Sequence, residues 1–289
     1  MSDWLDDALR LLGRLVLMAL FTVIAFMVAG IALKPAFPMG LPGGPDGVLV
    51  MGFIGVFALL VAHLAVVLIF ERGDWGTTGL GPRSWRPIPL GVALASGLLV
   101  ILVPAGVLLV TGHASFEQMP AGAWGPAALN TLLWLAAPAL FEELMARGYA
   151  FGAIQRLWGA AAAIALTSVL FGVLHIWNPG ATVWSVGAVT IAGVFLGVVR
   201  FTTGSLAAAW IAHLGVNWTQ GAVLHAPISG LSFLPTPGYR FVPSGPEWIT
   251  GGAWGLEAGG AAVLTLLVVT FLLLYARRAE QSRPPSRLG

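Results

Sequence analysis

Long apolar runs recur along this chain and leave little room for anything else. A membrane-crossing helix needs about 20 consecutive, mostly apolar residues. Runs of suitable length can be read at eight places, namely 9–33, 48–70, 88–111, 127–157, 159–175, 183–201, 205–224 and 259–275. Only 9% of the 289 residues are charged, against about 25% in soluble domains. The sequence therefore predicts an all-α integral membrane protein, built as a bundle of about eight transmembrane helices.

The basic residues around these runs predict the orientation of the chain. With eight spans, one side of the membrane carries twelve of the fourteen cations, and the other carries only Lys34 and Arg240. The twelve are Arg10, Arg14, Arg72, Arg83, Arg86, Arg147, Arg156, Arg200, Arg277, Arg278, Arg283 and Arg287. Cytoplasmic loops are enriched in lysine and arginine. We therefore expect both termini in the cytoplasm of a bacterial or archaeal cell, with the protein in its cell membrane.

The connections between the runs are too short for a soluble domain, so residues 1–289 are expected to form a single membrane domain. The longest are 34–47, 71–87 and 225–258, and each is rich in glycine and proline. The last is expected on the outer side and contains Trp248 and a glycine-rich stretch, 250–257. It is interpreted either as an irregular loop with interfacial aromatics or as a lid over a cavity.

The sequence lacks two features, and this narrows the range of possible functions. The chain has no cysteine, which excludes disulfides, thiolate metal ligands and a cysteine nucleophile. Its cations follow the membrane topology and do not gather in one patch, so the lipid bilayer is expected as a partner and nucleic acid is not.

Two adjacent carboxylates, Glu142 and Glu143, lie inside the fourth run. An ionised carboxylate in hydrocarbon costs several kcal/mol or more unless it is paired, protonated or wetted. Arg147 stands four residues after Glu143, the favourable order for a helical ion pair. Neighbouring helical residues point about 100° apart, so the two glutamates are not expected to face one partner. Glu142 is left free to act as a general base.

Two histidines are expected to approach Glu142. A helical hairpin turning at residues 157–159 would bring His175 to the depth of Glu142, and a second turn near 203–204 would carry His213 and Asn217 to similar depths. Phe171 shares a helix face with His175. Pro138, one turn before Glu142, is interpreted either as a bend that admits water or as an ordinary transmembrane proline. The polar groups then line one catalytic cavity, whereas His63 is interpreted as a packing residue.

These residues form three ordered patterns on the fourth, fifth and seventh runs, namely Glu142-Glu143-Leu-Met-Ala-Arg147, Phe171-Gly-Val-Leu-His175 and His213-Leu-Gly-Val-Asn217. The trio resembles the motifs of the CAAX-processing and bacteriocin-processing family of intramembrane endopeptidases, also called the Abi family. The glycine-rich stretch ending at Glu257 is similar to that family's late motif. The resemblance implies a catalytic core at about 121–258 and cleavage of a peptide or membrane-protein substrate.

The resemblance also implies roles. Glu142 would activate the attacking water, His175 would help position it, and His213 and Asn217 would hold the oxyanion or complete the site. Glu143, Arg147 and Phe171 would support them. The family is described both as metalloprotease and as metal-independent glutamate protease. Zinc therefore remains an open alternative, since Glu142, His175 and His213 form a plausible three-ligand set.

Other functions stay open at this level. A proton-coupled transporter could use Glu142 and the histidines as a proton relay. A non-catalytic member of the family could protect its host or scaffold a membrane complex. The first predicts pH-dependent solute flux without peptide cleavage, and the second predicts that loss of both histidines is tolerated.

Overall fold

A computed structural model describes residues 2–232 and 237–282. Its helices are α1 (Ser2–Leu33), α2 (Gly44–Phe70), α3 (Pro87–Val110), α4 (Trp124–Arg147), α5 (Tyr149–Leu174), α6 (Val183–Thr203), α7 (Leu206–Trp218), the short α8 (Glu247–Thr250) and α9 (Gly260–Gln281). Arg283 and Arg287, which belong to the predicted basic side, lie outside the described residues.

The predicted membrane bundle is confirmed. Within the described residues, six helical stretches are long and apolar enough to cross a membrane. One of them, 124–177, is 54 residues long and contains both the fourth and the fifth predicted runs. The protein is thus an integral membrane protein with a mostly helical fold.

Two predicted boundaries differ from the structure. The fourth run was expected to continue to residue 157, but α4 ends at Arg147 because Gly148 leaves the helical conformation, with ψ of −132°. Gly159 has φ of 82°, a value that favours glycine, and it divides α5 at the predicted turn. The seventh run also differs, since α7 has only 13 residues and continues as a π-helical turn, Thr219–Val223.

A small antiparallel sheet on the loops was not predicted. Strand β1 (Ala114–Gly122) pairs with β2 (Pro237–Pro243), with Glu117 opposite Arg240. The side chains of that pair are 2.7 Å apart. These strands lie in segments that the sequence predicts to be connections. Short strands with little apolar alternation give only a weak periodic signal.

Helix α4 occupies the middle of the bundle and packs against α2, α5 and α7. Two tryptophans of α7 hold it in register: Trp210 Nε1 donates to the Ala136 carbonyl at 2.9 Å, and Trp218 Nε1 donates to the Ala128 carbonyl at the same distance. Since indole can only donate, carbonyls of α4 are natural partners in an apolar layer. These contacts set α7 beside the glutamate pair.

Candidate active site

The glutamate pair of α4 meets His213 of α7. His213 Nδ1 lies 3.0 Å from Glu143 Oε1, and its Nε2 lies 3.8 Å from Glu142 Oε2. The imidazole therefore sits between the two carboxylates. The first separation is a hydrogen bond, whereas the second is too long for one.

This arrangement corrects one expectation. Glu142 and Glu143 do face a common partner, although they are adjacent on a helix. The 100° rule describes directions from the helix axis, but an imidazole presents two nitrogens on different edges of its ring. Each glutamate approaches its own nitrogen of His213.

The predicted ion pair of Glu143 is confirmed and is completely buried. Arg147 Nη1 donates to Glu143 Oε1 at 3.1 Å, and Nη2 donates to the Gly193 carbonyl of α6 at 2.9 Å. Both side chains are 0% exposed. The guanidinium also lies 4.4 Å from the ring centre of Phe171, a distance suited to a cation–π contact.

Phe171 connects this charge cluster to both histidines. Its ring centre is 4.9 Å from that of His175 and 5.7 Å from that of His213. Its own carbonyl accepts from His175 Nδ1 at 2.8 Å. A carbonyl has no hydrogen to give, so Nδ1 of His175 carries the proton, and the neutral ring keeps a lone pair on Nε2. Because Phe171 and His175 are four positions apart in the sequence, local geometry fixes the tautomer of His175.

A cavity of about 110 Å³ lies where these groups meet. Glu142, His175, His213 and Asn217 all line it, as the sequence predicts. Glu142 is half-buried with a side chain 29% exposed, and its Oε2 atom is buried without a hydrogen-bond partner among the described residues. A buried carboxylate oxygen in a polar cavity is a site for a water molecule.

Several lining residues were missed by sequence reasoning. Asn178, Ile228, Ser229 and Leu231 also face the cavity. Asn178 follows His175 by three residues, which could have drawn attention to it. The other three belong to the 225–258 connection, for which a lid over a cavity was one of the two interpretations. Their contribution supports that interpretation.

Pro138 lies within α4 and lines the same cavity. Its ring packs against Gly52 of α2, where a Cβ would meet the proline atoms at 2.8 Å. A close approach of this kind requires glycine. Pro138 therefore shapes both the helix contact and the cavity wall.

Glu142, His175 and His213, the possible zinc ligands, are not grouped as a metal site in the described part of the chain. Among the described residues, no group of three histidine, aspartate or glutamate side chains could hold a metal ion. His213 Nδ1 is already bound to Glu143.

His63 lies outside the cavity. Its Nδ1 donates to the Leu59 carbonyl at 2.7 Å, and its Nε2 accepts from the Tyr149 backbone N–H at 3.1 Å. Both ring nitrogens are satisfied in a fully buried position. The interpretation of His63 as a packing residue is confirmed.

Part of the chain matches a known protein family. Residues 124–219 match the family described as type II CAAX prenyl endopeptidase Rce1-like. This segment is therefore similar to the Rce1-like family. The match covers about a third of the chain and runs from the first residue of α4 to the residue after α7. A search of curated proteins gave no match.

The Rce1-like segment contains all three motifs and confirms the resemblance seen in the sequence. It supports a CAAX-protease-like membrane peptidase as the general class. The 225–258 connection, which contributes part of the cavity wall, follows the matched segment.

Proposed function

We propose that this protein is an intramembrane endopeptidase that hydrolyses a peptide bond with a water molecule activated by Glu142. The observation that carries the proposal is the unpartnered Oε2 atom of Glu142 in a cavity shared with two imidazoles and the amide of Asn217. Of the two adjacent glutamates, Glu142 is the one without an arginine.

In this mechanism the Glu142 carboxylate accepts a proton from the water while the water oxygen attacks the carbonyl carbon. The C–N bond then breaks, and the proton passes to the leaving amine nitrogen. General base catalysis of this kind contributes about 10² to 10⁴ in rate. The second carboxylate, Glu143, is engaged by Arg147.

His175 is suited to orient the water. Its Nδ1–H is engaged by the Phe171 carbonyl, so its Nε2 lone pair is available to accept the second hydrogen of the water. The two acceptors, Glu142 and His175, would together fix the direction of the attacking lone pair.

His213 and Asn217 are suited to hold the oxyanion. Glu143 accepts from His213 Nδ1, which orients the ring with Nε2 towards the cavity. In the imidazolium form, Nε2–H can donate to the negative oxygen, and the Asn217 amide supplies a second donor. Removal of one such donor typically costs about 10² to 10³ in rate.

The substrate class is proposed from the family description and from the site. A peptide segment or a membrane protein, with a lipidated tail as the prenyl endopeptidase description suggests, would present its scissile bond to the cavity. The cavity wall includes the connection assigned by the charge distribution to the outer side, so we place the entrance there, with both termini in the cytoplasm.

The test is a mass-spectrometric comparison of peptide termini in membranes that contain the native protein or the Glu142→Gln variant. We expect new C-termini only with the native protein. A Glu280→Gln variant, altered at an exposed position of α9, is the control and should cleave as the native protein does. Equal cleavage by Glu142→Gln would refute the proposal.

A further inference from the structure

A short segment, Ala226–Leu231, separates the active-site cavity from a much larger pocket on the loops. Its residues Ile228, Ser229 and Leu231 line the cavity. Ala226, Pro227 and Leu231 line the other pocket, which has a volume of about 660 Å³. We call this segment the partition.

The closed cavity is too small for a peptide. Ligand pockets usually measure about 300 to 1,000 Å³, whereas the cavity measures about 110 Å³. If the site cleaves peptides, as proposed above, some part of its wall has to move. The partition lies between the cavity and the larger pocket.

One buried carboxyl group holds the partition. Glu257 Oε1 accepts from the Ser229 backbone N–H at 2.5 Å and from the Ser229 hydroxyl at 3.3 Å. Glu257 Oε2 accepts from the Gln220 side-chain amide, which also donates to the Pro227 carbonyl. The Glu257 N–H donates back to Gln220 Oε1 at 3.2 Å. Glu257 is thus bonded to the partition directly and through Gln220.

The hydrogen bonds around Glu257 also connect it to the segments that follow the two histidine-containing motifs. Gln220 follows Asn217 by three residues, in the π-helical turn that continues α7. The Ser229 carbonyl accepts from the Asn178 side chain at 3.0 Å, and Asn178 follows His175 by three residues. Glu257 therefore connects the partition to the segments that carry His175 and Asn217.

The backbone around Glu257 is shaped for this contact. Ser229 has φ of 48°, a conformation that costs free energy for a residue other than glycine. Gly255 has φ of 131°, and a Cβ at this position would overlap with the Glu257 carboxylate and the Pro227 carbonyl. The partition is held in a conformation that it would not adopt unaided.

We propose that Glu257 is a positioning residue of the active site, which holds the partition closed in its protonated form and releases it on ionisation. A buried carboxyl group that ionises with no cation beside it costs free energy unless water reaches it. Opening the partition would let water reach Glu257, so ionisation favours the open partition and hence peptide entry.

The titration range suits such a switch. Burial raises the pKa of Glu257 from 4.5 to about 7, against the opposing effect of the hydrogen bonds from Gln220 and Ser229. The titratable groups that share a small cavity with Glu257 are His175 and His213. No arginine or lysine pairs with Glu257 among the described residues.

Thiol labelling tests the proposal, because the native chain has no cysteine. Ile228→Cys places a single thiol on the buried face of the partition, and Ser115→Cys places one on the exposed strand β1. The ratio of their labelling rates with a water-soluble maleimide cancels the intrinsic pH dependence of the thiol. We expect this ratio to rise by up to roughly tenfold from pH 6 to pH 8, as the ionised fraction of Glu257 increases.

Glu257→Gln mimics the protonated form. Added to Ile228→Cys, it should give a low ratio that does not change with pH, whereas the exposed control Glu247→Gln should behave as the native chain. A ratio independent of pH in the Ile228→Cys protein itself would overturn the proposal, whether or not Glu257→Gln folds. So would a pH dependence that persists in a folded Glu257→Gln protein. Labelling needs no substrate, so its outcome is independent of whether peptide cleavage is found.

Discussion

Two glutamates of this protein, Glu71 and Glu142, lie in opposite kinds of surroundings. Glu71, just after α2, accepts hydrogen bonds from four side chains, those of Arg14, Thr77, Tyr149 and Arg156. These bonds come from α1, from the 71–86 connection and from α5. The buried Oε2 atom of Glu142 has no such partner among the described residues.

The difference separates a structural carboxylate from one available for chemistry. Hydrogen bonds from Arg156 are the largest effect in lowering the pKa of Glu71, and every lone pair they occupy is unavailable to a ligand. An unpartnered buried oxygen costs free energy of folding, and it gains a partner only when water or substrate enters. The two sites should therefore respond to the same substitution in opposite ways.

The largest expected effect is on catalysis by Glu142. Glu142→Gln should lower the cleavage rate by about 10² to 10⁴ because the amide cannot take the proton of the water. Its thermal unfolding in detergent should stay within about 0.5 kcal/mol of the native protein. A Glu142→Gln variant that also lost stability would show that Glu142, like Glu71, contributes to folding.

The next effect is on stability and activity together. Glu143→Gln leaves the fully buried Arg147 without its counter-charge and gives His213 a neutral amide oxygen in place of its carboxylate acceptor. Breaking a buried pair costs about 3 to 5 kcal/mol, which equilibrium unfolding would measure against Glu142→Gln as the control. An unchanged unfolding free energy would show that the pair is not needed for folding.

A third effect concerns pH. Because the pKa of Glu257 is raised to about 7, its contribution to stability is fully present below pH 4.5 and is lost as the pH rises through 7. Linkage over this interval amounts to about 3 kcal/mol. Unfolding measured between pH 5 and pH 8 should show this decline in the native protein and not in Glu257→Gln. Retention of the decline in the variant would assign it to other groups.

The smallest expected effect is on the stability that Glu71 contributes. Glu71→Gln should lower the unfolding free energy by about 1 to 2 kcal/mol, since Arg14 and Arg156 are partly solvated. The lowered pKa of Glu71 means that its stabilisation is present above about pH 4.5 and is lost as the pH falls through the lowered value. The cleavage rate per folded molecule should not change, and a large loss of activity would contradict the assignment of Glu71 to structure.

Much of the site could be predicted because it is encoded locally. Glu143 and Arg147 are four positions apart on one helix, which predicts their ion pair. Phe171 and His175 have the same separation, which places them on one face. The turn at 157–159 depends on a glycine that adopts positive φ at Gly159. Such features need only helix geometry and the cost of burying charge.

The remaining features depend on contacts between distant segments. The position of His213 between both glutamates follows from how α7 packs on α4, to which Trp210 contributes. Strands β1 and β2 find each other across more than a hundred residues, with little apolar alternation to mark them. The partition is held by Glu257 and Gln220. These residues are 37 positions apart in the sequence, and no periodic pattern relates them.

The most direct test of the proposed mechanism follows the oxygen atom of the attacking water into the product. Purified protein in liposomes would be incubated in H₂¹⁸O with a peptide whose cleavage was found in the membrane comparison. We predict that each new C-terminal carboxylate carries one ¹⁸O atom with the native protein, and that Glu142→Gln produces almost none. Cleavage without incorporation of solvent oxygen, or undiminished incorporation by Glu142→Gln, would contradict the assignment of Glu142 as the base.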